Sequence, residues 1–145
     1  MKKFIIAIIS AMILMPTMAD AQIQVNKQPK RETIKSLRMG GVSLWKTGDT
    51  YYLGLYSNNQ FDKSYVILLG EDKDAATESL NSLIDISSNI TKDDQFEFSD
   101  KVNNYYITRG IFKGEIWFKT NGYAGYGITS TTELNSLLKA LTKTK

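Results

Sequence analysis

The sequence predicts an α+β fold: an antiparallel β-sheet with two helices packed on one face, built as a tandem ββββα repeat with a pseudo-twofold. Three observations predict it. Short segments of alternating apolar and polar residues recur from Thr33 to Thr129. Two stretches, Ala76–Ile84 and Leu134–Leu141, change to the 3.6-residue period of a helix. One offset of 54 residues carries Leu80-Asn81-Ser82-Leu83 onto Leu134-Asn135-Ser136-Leu137, Tyr51-Tyr52-Leu53 onto Tyr105-Tyr106-Ile107, and Val42-Ser43-Leu44 onto Phe96-Glu97-Phe98. Runs of strands closed by a helix belong to the α+β class, because neither element can bury its apolar side alone.

The elements follow in order. Ile34, Leu37 and Met39 lead into Gly40-Gly41, a turn or bulge. Val42–Lys46 alternates, and Thr47-Gly48-Asp49-Thr50 is turn chemistry. Thr50–Tyr56 is rich in strand formers, and Ser57-Asn58-Asn59-Gln60 breaks it. Ser64–Leu69 is apolar on both faces, which predicts a central strand. Ala76, Leu80, Leu83 and Ile84 line one face of a helix that Asp72 or Asp74 can cap. Ser87–Asp94 reads as a polar connector. Phe96–Phe98, Tyr105–Thr108 and Glu115–Lys119 are strands again. Asn121-Gly122 signals a hairpin completed by Tyr123–Thr129. Ser130 and Glu133 are spaced as a capping box for a last helix whose stripe is Leu134, Leu137, Leu138 and Leu141.

The N-terminal segment reads as an export signal. Lys2 and Lys3 precede Phe4–Leu14, an apolar run too short for a bilayer core of about 20 residues. Pro16 stops a helix, and Ala19-Asp20-Ala21 is a signal-peptidase pattern. The expected organisation is a cleaved signal peptide at 1–21, a flexible leader at 22–32, and one domain at 33–145, with repeats at 33–88 and 89–145. An uncleaved N-terminal anchor is the competing reading. The chain has no cysteine, which closes lipid anchoring through cysteine and closes disulfides. The expectation is therefore an exported protein, periplasmic or secreted, with no stable membrane anchor.

The net charge is +3, falling to +2 once Lys2, Lys3 and Asp20 leave with the signal. This near balance gives no footprint for nucleic acid. Lys27–Lys35 is locally basic and reads as a solvated leader.

With no histidine or cysteine, Ser-His and Cys-His nucleophiles and His/Cys zinc sites are absent. No cofactor is expected. Gly122–Gly127 is glycine-rich and leads toward a helix start, but lacks phosphate-loop spacing. Asp72, Asp74 and Glu78 lack the glycine turn of a calcium loop, and helix capping accounts for them. Glu97 and Glu115 are the carboxylates a small envelope hydrolase would use; outward-facing charge is the plainer reading.

The aromatic residues carry the functional expectation. Strand residues alternate between faces. If Leu44, Leu53, Leu55, Ile107, Ile116 and Phe118 point inward, then Trp45, Tyr52, Tyr56, Tyr106 and Trp117 share the helix-free face. An exposed aromatic face suits a protein or glycan partner. The expected function is an exported, non-catalytic binding or interaction module. The alternatives are the carboxylate hydrolase and a self-assembling structural envelope protein, including a homodimer. On the leading reading, Trp45→Ala and Trp117→Ala abolish capture and leave the melting curve intact.

Overall fold

The computed structural model describes residues 29–144, so the expected signal peptide at 1–21 and residues 22–28 of the expected leader lie outside the described residues. Among the described residues are eight strands and two α-helices, with a short 3-10 turn at Arg38–Gly40. They are β1 (Arg31–Leu37), β2 (Val42–Thr47), β3 (Thr50–Leu55), β4 (Tyr65–Gly70), α1 (Lys73–Asn89), β5 (Gln95–Ser99), β6 (Asn104–Arg109), β7 (Glu115–Thr120), β8 (Gly127–Ser130) and α2 (Thr131–Lys143). The ββββα order occurs twice, in an α+β fold. Arg31 and Glu32, assigned from sequence to a flexible leader, belong to β1, where Glu32 pairs with Lys46 at 3.3 Å.

The strands form two antiparallel sheets, ordered β1-β2-β3-β4 and β5-β6-β7-β8. A single bridge, Ser57 to Gly127, links them. The split has a local cause. The free edge of β4 is occupied by side chains rather than by a strand. Leu68 N–H donates to Asp100 Oδ2 at 3.1 Å, and the Val66 carbonyl accepts from the Tyr105 hydroxyl at 2.9 Å. Edge groups satisfied in this way no longer template a neighbour.

The helices are placed asymmetrically. α1 packs on β3 and β4, α2 packs on β1, β2 and β8, and the helices pack on each other. Both therefore cover the inner face of the first sheet. The 54-residue offset also runs one strand out of step: it carries β2 onto β5 and β3 onto β6, while α2 still matches α1. The repetition is one of element order, without equivalent helix positions.

The helix stripes are as the spacing predicts. Ala76, Leu80 and Leu83 are buried on α1, and Leu134, Leu137 and Leu141 on α2. Asp72 caps α1 by accepting from Ala75 N–H at 2.8 Å, and the Ser130–Glu133 capping box opens α2. α1 runs through the expected connector to Asn89, because buried Ser87 has partners: its hydroxyl bonds the Ile84 carbonyl and Thr131 Oγ1, each at 2.9 Å. Tyr105, Ile107, Ile116 and Phe118 of the second sheet join the same core as Leu44, Leu53 and Leu55. Neither helix is long and apolar enough to cross a membrane, among the described residues.

A loop-to-loop clasp joins the two halves. The Asp62 carboxylate accepts from Gly125 N–H at 2.7 Å, Ala124 N–H at 3.3 Å and the Ser57 hydroxyl at 3.0 Å. Asn58 donates its N–H to the Tyr126 carbonyl at 3.0 Å and accepts from Tyr126 N–H at 2.8 Å. The Tyr65 hydroxyl donates to the Gly125 carbonyl at 2.9 Å. The glycine-rich segment thus does receive an anion, the chain's own carboxylate. This is why β8 begins only at Gly127, later than the hairpin pattern predicts: the backbone of Ala124–Tyr126 is spent on the first half.

Desolvation opposes ionisation of Asp62, but its bonds from Gly125, Ser57 and Ala124 outweigh it and hold the carboxyl below its usual 3.8. Burial pushes the Tyr65 and Tyr105 phenols up to about 12, so both remain protonated donors at neutral pH.

Two outcomes follow for stability. A Cβ at Gly125 would lie 2.5 Å from Ser57 Oγ and 2.7 Å from Asn59 Cβ. Gly125→Ala should therefore lower the unfolding free energy in urea by about 1–3 kcal/mol, the usual cost of overpacking. Asp62 binds its proton less tightly folded than unfolded, so its stabilisation is complete above the unfolded value and disappears as pH falls through the lower folded value. Urea titrations of Asp62→Asn should start from lower stability at neutral pH and decline less steeply below pH 4. Part of the slope should persist, because bonds from the Thr91 backbone and hydroxyl also hold Asp94 low.

Candidate functional site

Strand parity sets the stage. Leu44, Leu53, Leu55, Ile107, Ile116 and Phe118 are all buried and face the core. Their neighbours Trp45, Tyr52, Tyr106 and Trp117 therefore lie on the opposite faces. Because there are two sheets, the five aromatic residues singled out by sequence divide between two surfaces.

On the first sheet, Trp45 and Tyr52 are cross-strand partners with rings stacked at 5.9 Å and 18°. The Arg31 guanidinium sits 3.8 Å from the centroid of the Trp45 ring, a cation–π contact. The ring also lies over Gly54, where a Cβ would meet Trp45 Cη2 at 2.7 Å. Trp45 is consequently only 7% exposed. It acts as a brace on the outer face, and its flat face is already covered. Nothing local in the sequence points to this cover, because Arg31 falls in a polar stretch without strand periodicity.

Tyr56 lies just beyond β3 and is 59% exposed. It shares a groove of about 300 Å³ with Thr33, Ser36, Ser43, Trp45 and Ser64. Gly54 and Ser43 keep the groove shallow-floored, and Val66 borders it. Tyr52 also faces a separate cleft of about 300 Å³ between the sheets, near Lys63, Asp100 and Tyr123.

On the second sheet, Trp117 stacks on Tyr126 at 4.1 Å and 19°, and its indole N–H donates to Glu115 Oε1 at 2.7 Å. Tyr106 stands between Glu97 and Lys119 in the strand register. Tyr126 is not among the aromatic residues that strand parity selects: it falls in the segment expected to complete the hairpin, but precedes β8, which begins at Gly127.

The two carboxylates do not meet. Glu97 is level with Tyr106 and Lys119, and Glu115 lies four residues further along β7. At about 3.4 Å per residue that offset alone is about 14 Å. Glycosidase pairs stand about 5–9.5 Å apart. Glu115 is also engaged by the Trp117 indole and by Ile111 N–H at 3.1 Å.

The burial of Trp45 changes what its removal should do. Trp45→Ala should destabilise the fold by about 3–5 kcal/mol, as for other large buried aromatics. Thermal or urea unfolding measures this directly. Trp117→Ala, at a half-exposed position, should cost clearly less, so the two tryptophans should not behave alike. No family model, curated protein or solved structure matches this chain.

Proposed function

We propose that this chain is an exported, non-catalytic binding module that takes a glycan on the outer, helix-free face of its first sheet. One observation carries the reading: a groove of about 300 Å³ in which exposed Tyr56 stands beside the hydroxyls of Thr33, Ser36, Ser43 and Ser64. A flat aromatic face with a polar tip, set among short hydroxyl side chains, suits a sugar ring better than an apolar ligand. The volume is at the lower end of ligand pockets, about 300–1,000 Å³, and fits one or two sugar units. Trp45 braces the groove, and Tyr56 is the ring left free to stack.

Export rests on the sequence pattern of residues 1–21. It would place the groove where envelope and extracellular glycans occur. A hydrolytic role draws no support from Glu97 and Glu115, which are separated as described.

The test is a titration with soluble envelope oligosaccharides, followed by tryptophan fluorescence. Trp45 borders the groove and serves as the reporter. Binding should saturate in the wild type. Tyr56→Ala should weaken it at least tenfold, about 1.4 kcal/mol, with unfolding unchanged. A Tyr56→Ala variant that binds as tightly as wild type, or a wild type silent to every glycan, would remove this reading.

A further inference from the structure

Two surface features outside that groove fit one another. The first is an apolar prominence. The loop between β6 and β7 carries Ile111 and Phe112, which are 72% and 69% exposed. These side chains are held out by a fixed loop. Gly110 N–H donates to the Glu115 carbonyl at 2.8 Å, and Glu115 N–H donates to the Phe112 carbonyl at 3.2 Å. Thr131, in the first turn of α2, donates its N–H and its hydroxyl to the Gly114 carbonyl at 2.8 and 3.1 Å.

The same helix turn anchors a second exposed apolar residue. Arg38 makes a two-pronged ion pair with Glu133. Arg38 and Met39 both take left-handed φ, 48° and 53°, and Met39 is fully exposed. Two successive non-glycine residues in that region are strained, and such strain persists only where the surroundings enforce it. The loops of both halves thus present apolar side chains from the N-terminal end of α2. Arg109 and Lys113 flank the Ile111-Phe112 pair, and neither has an ion-pair partner among the described residues.

The second feature is a groove of about 420 Å³ between α1 and the edge strand β5. Leu83, Ile86, Phe96 and Phe98 give it apolar walls. Its charged side chain is Glu78 of α1, which is not ion-paired among the described residues; Glu97, between Phe96 and Phe98, alternates to the outer face beside Tyr106. One surface is apolar and flanked in sequence by two cations; the other is apolar and bordered by the Glu78 carboxylate. Both stand uncovered on a single chain.

We infer that the groove between α1 and β5 receives the Ile111-Phe112 prominence of a second copy of this chain. Unlike patches meeting in this way make a heterologous contact, which builds rings or open chains. The opposed charges fix the orientation and make the contact salt-sensitive.

Sedimentation velocity on purified protein tests it. The wild type should gain mass with concentration and lose it in high salt. Phe112→Asp, which keeps the groove, and Glu78→Lys, which keeps the prominence, should each stay monomeric to at least tenfold higher concentration. Near-UV circular dichroism checks that both are folded. Should the groove variant fail that check, Glu78→Gln, which also keeps the prominence, takes its place and should weaken association at least threefold. Mixing the two folded variants should restore a complex, because one intact prominence then meets one intact groove. A wild type monomeric at every concentration, a Phe112→Asp variant that associates normally, or a mixture that stays monomeric would overturn the inference.

Discussion

The Asp62 carboxylate holds this fold together at its junction. It accepts from the backbone amides of Ala124 and Gly125, more than sixty residues away, and from the nearby Ser57 hydroxyl. Asn58 and Tyr65 add three further bonds to the same backbone. The fold needs such a clasp because its sheets scarcely pair: among the described residues one bridge, Ser57 to Gly127, is all the ladder they share. Side chains do what a shared strand would otherwise do. Asp100 and Tyr105 finish the job at the free edge of β4.

The helices explain why that junction matters. α2 closes the second half of the chain yet packs on β1 and β2 of the first. The first sheet cannot bury its inner face without a helix that the second half supplies. The two halves therefore build one core, and among the described residues no buried side-chain polar atom is left unpaired. A core so committed leaves recognition to the outer surfaces. Those surfaces differ: the first sheet has a hydroxyl-lined groove beside an exposed tyrosine, and the second has a stacked Trp117–Tyr126 pair tied to Glu115.

Much of this was legible in the sequence, wherever the signal was local. Helical spacing found the stripes of both helices, and the Ser130–Glu133 spacing found the capping box. Period-two alternation fixed which residues of β2, β3, β6 and β7 face inward, so each of Trp45, Tyr52, Tyr106 and Trp117 was assigned to the correct side of its strand. What stayed hidden depends on contacts between distant segments. Alternation says that Trp45 points outward; it does not say that Arg31 and Tyr52 cover it. A glycine-rich run says that backbone comes close to something; it does not say that the something is Asp62. The 54-residue offset matched real strands, yet one strand out of step, because β alternation repeats in any pair of similar hairpins. Nothing periodic encodes which sheet a helix will choose.

The clasp and the packing of α2 on the first sheet make the two halves a single cooperative unit. Native-state amide hydrogen exchange, followed residue by residue in increasing denaturant, tests that cooperativity most directly. The Gly125 amide, bonded to Asp62, and the sheet amides of Leu53 and Ile107 should all converge on one opening free energy, that of global unfolding. A second sheet that opens at a distinctly lower free energy, with Gly125 exchanging while Leu53 stays protected, would contradict it.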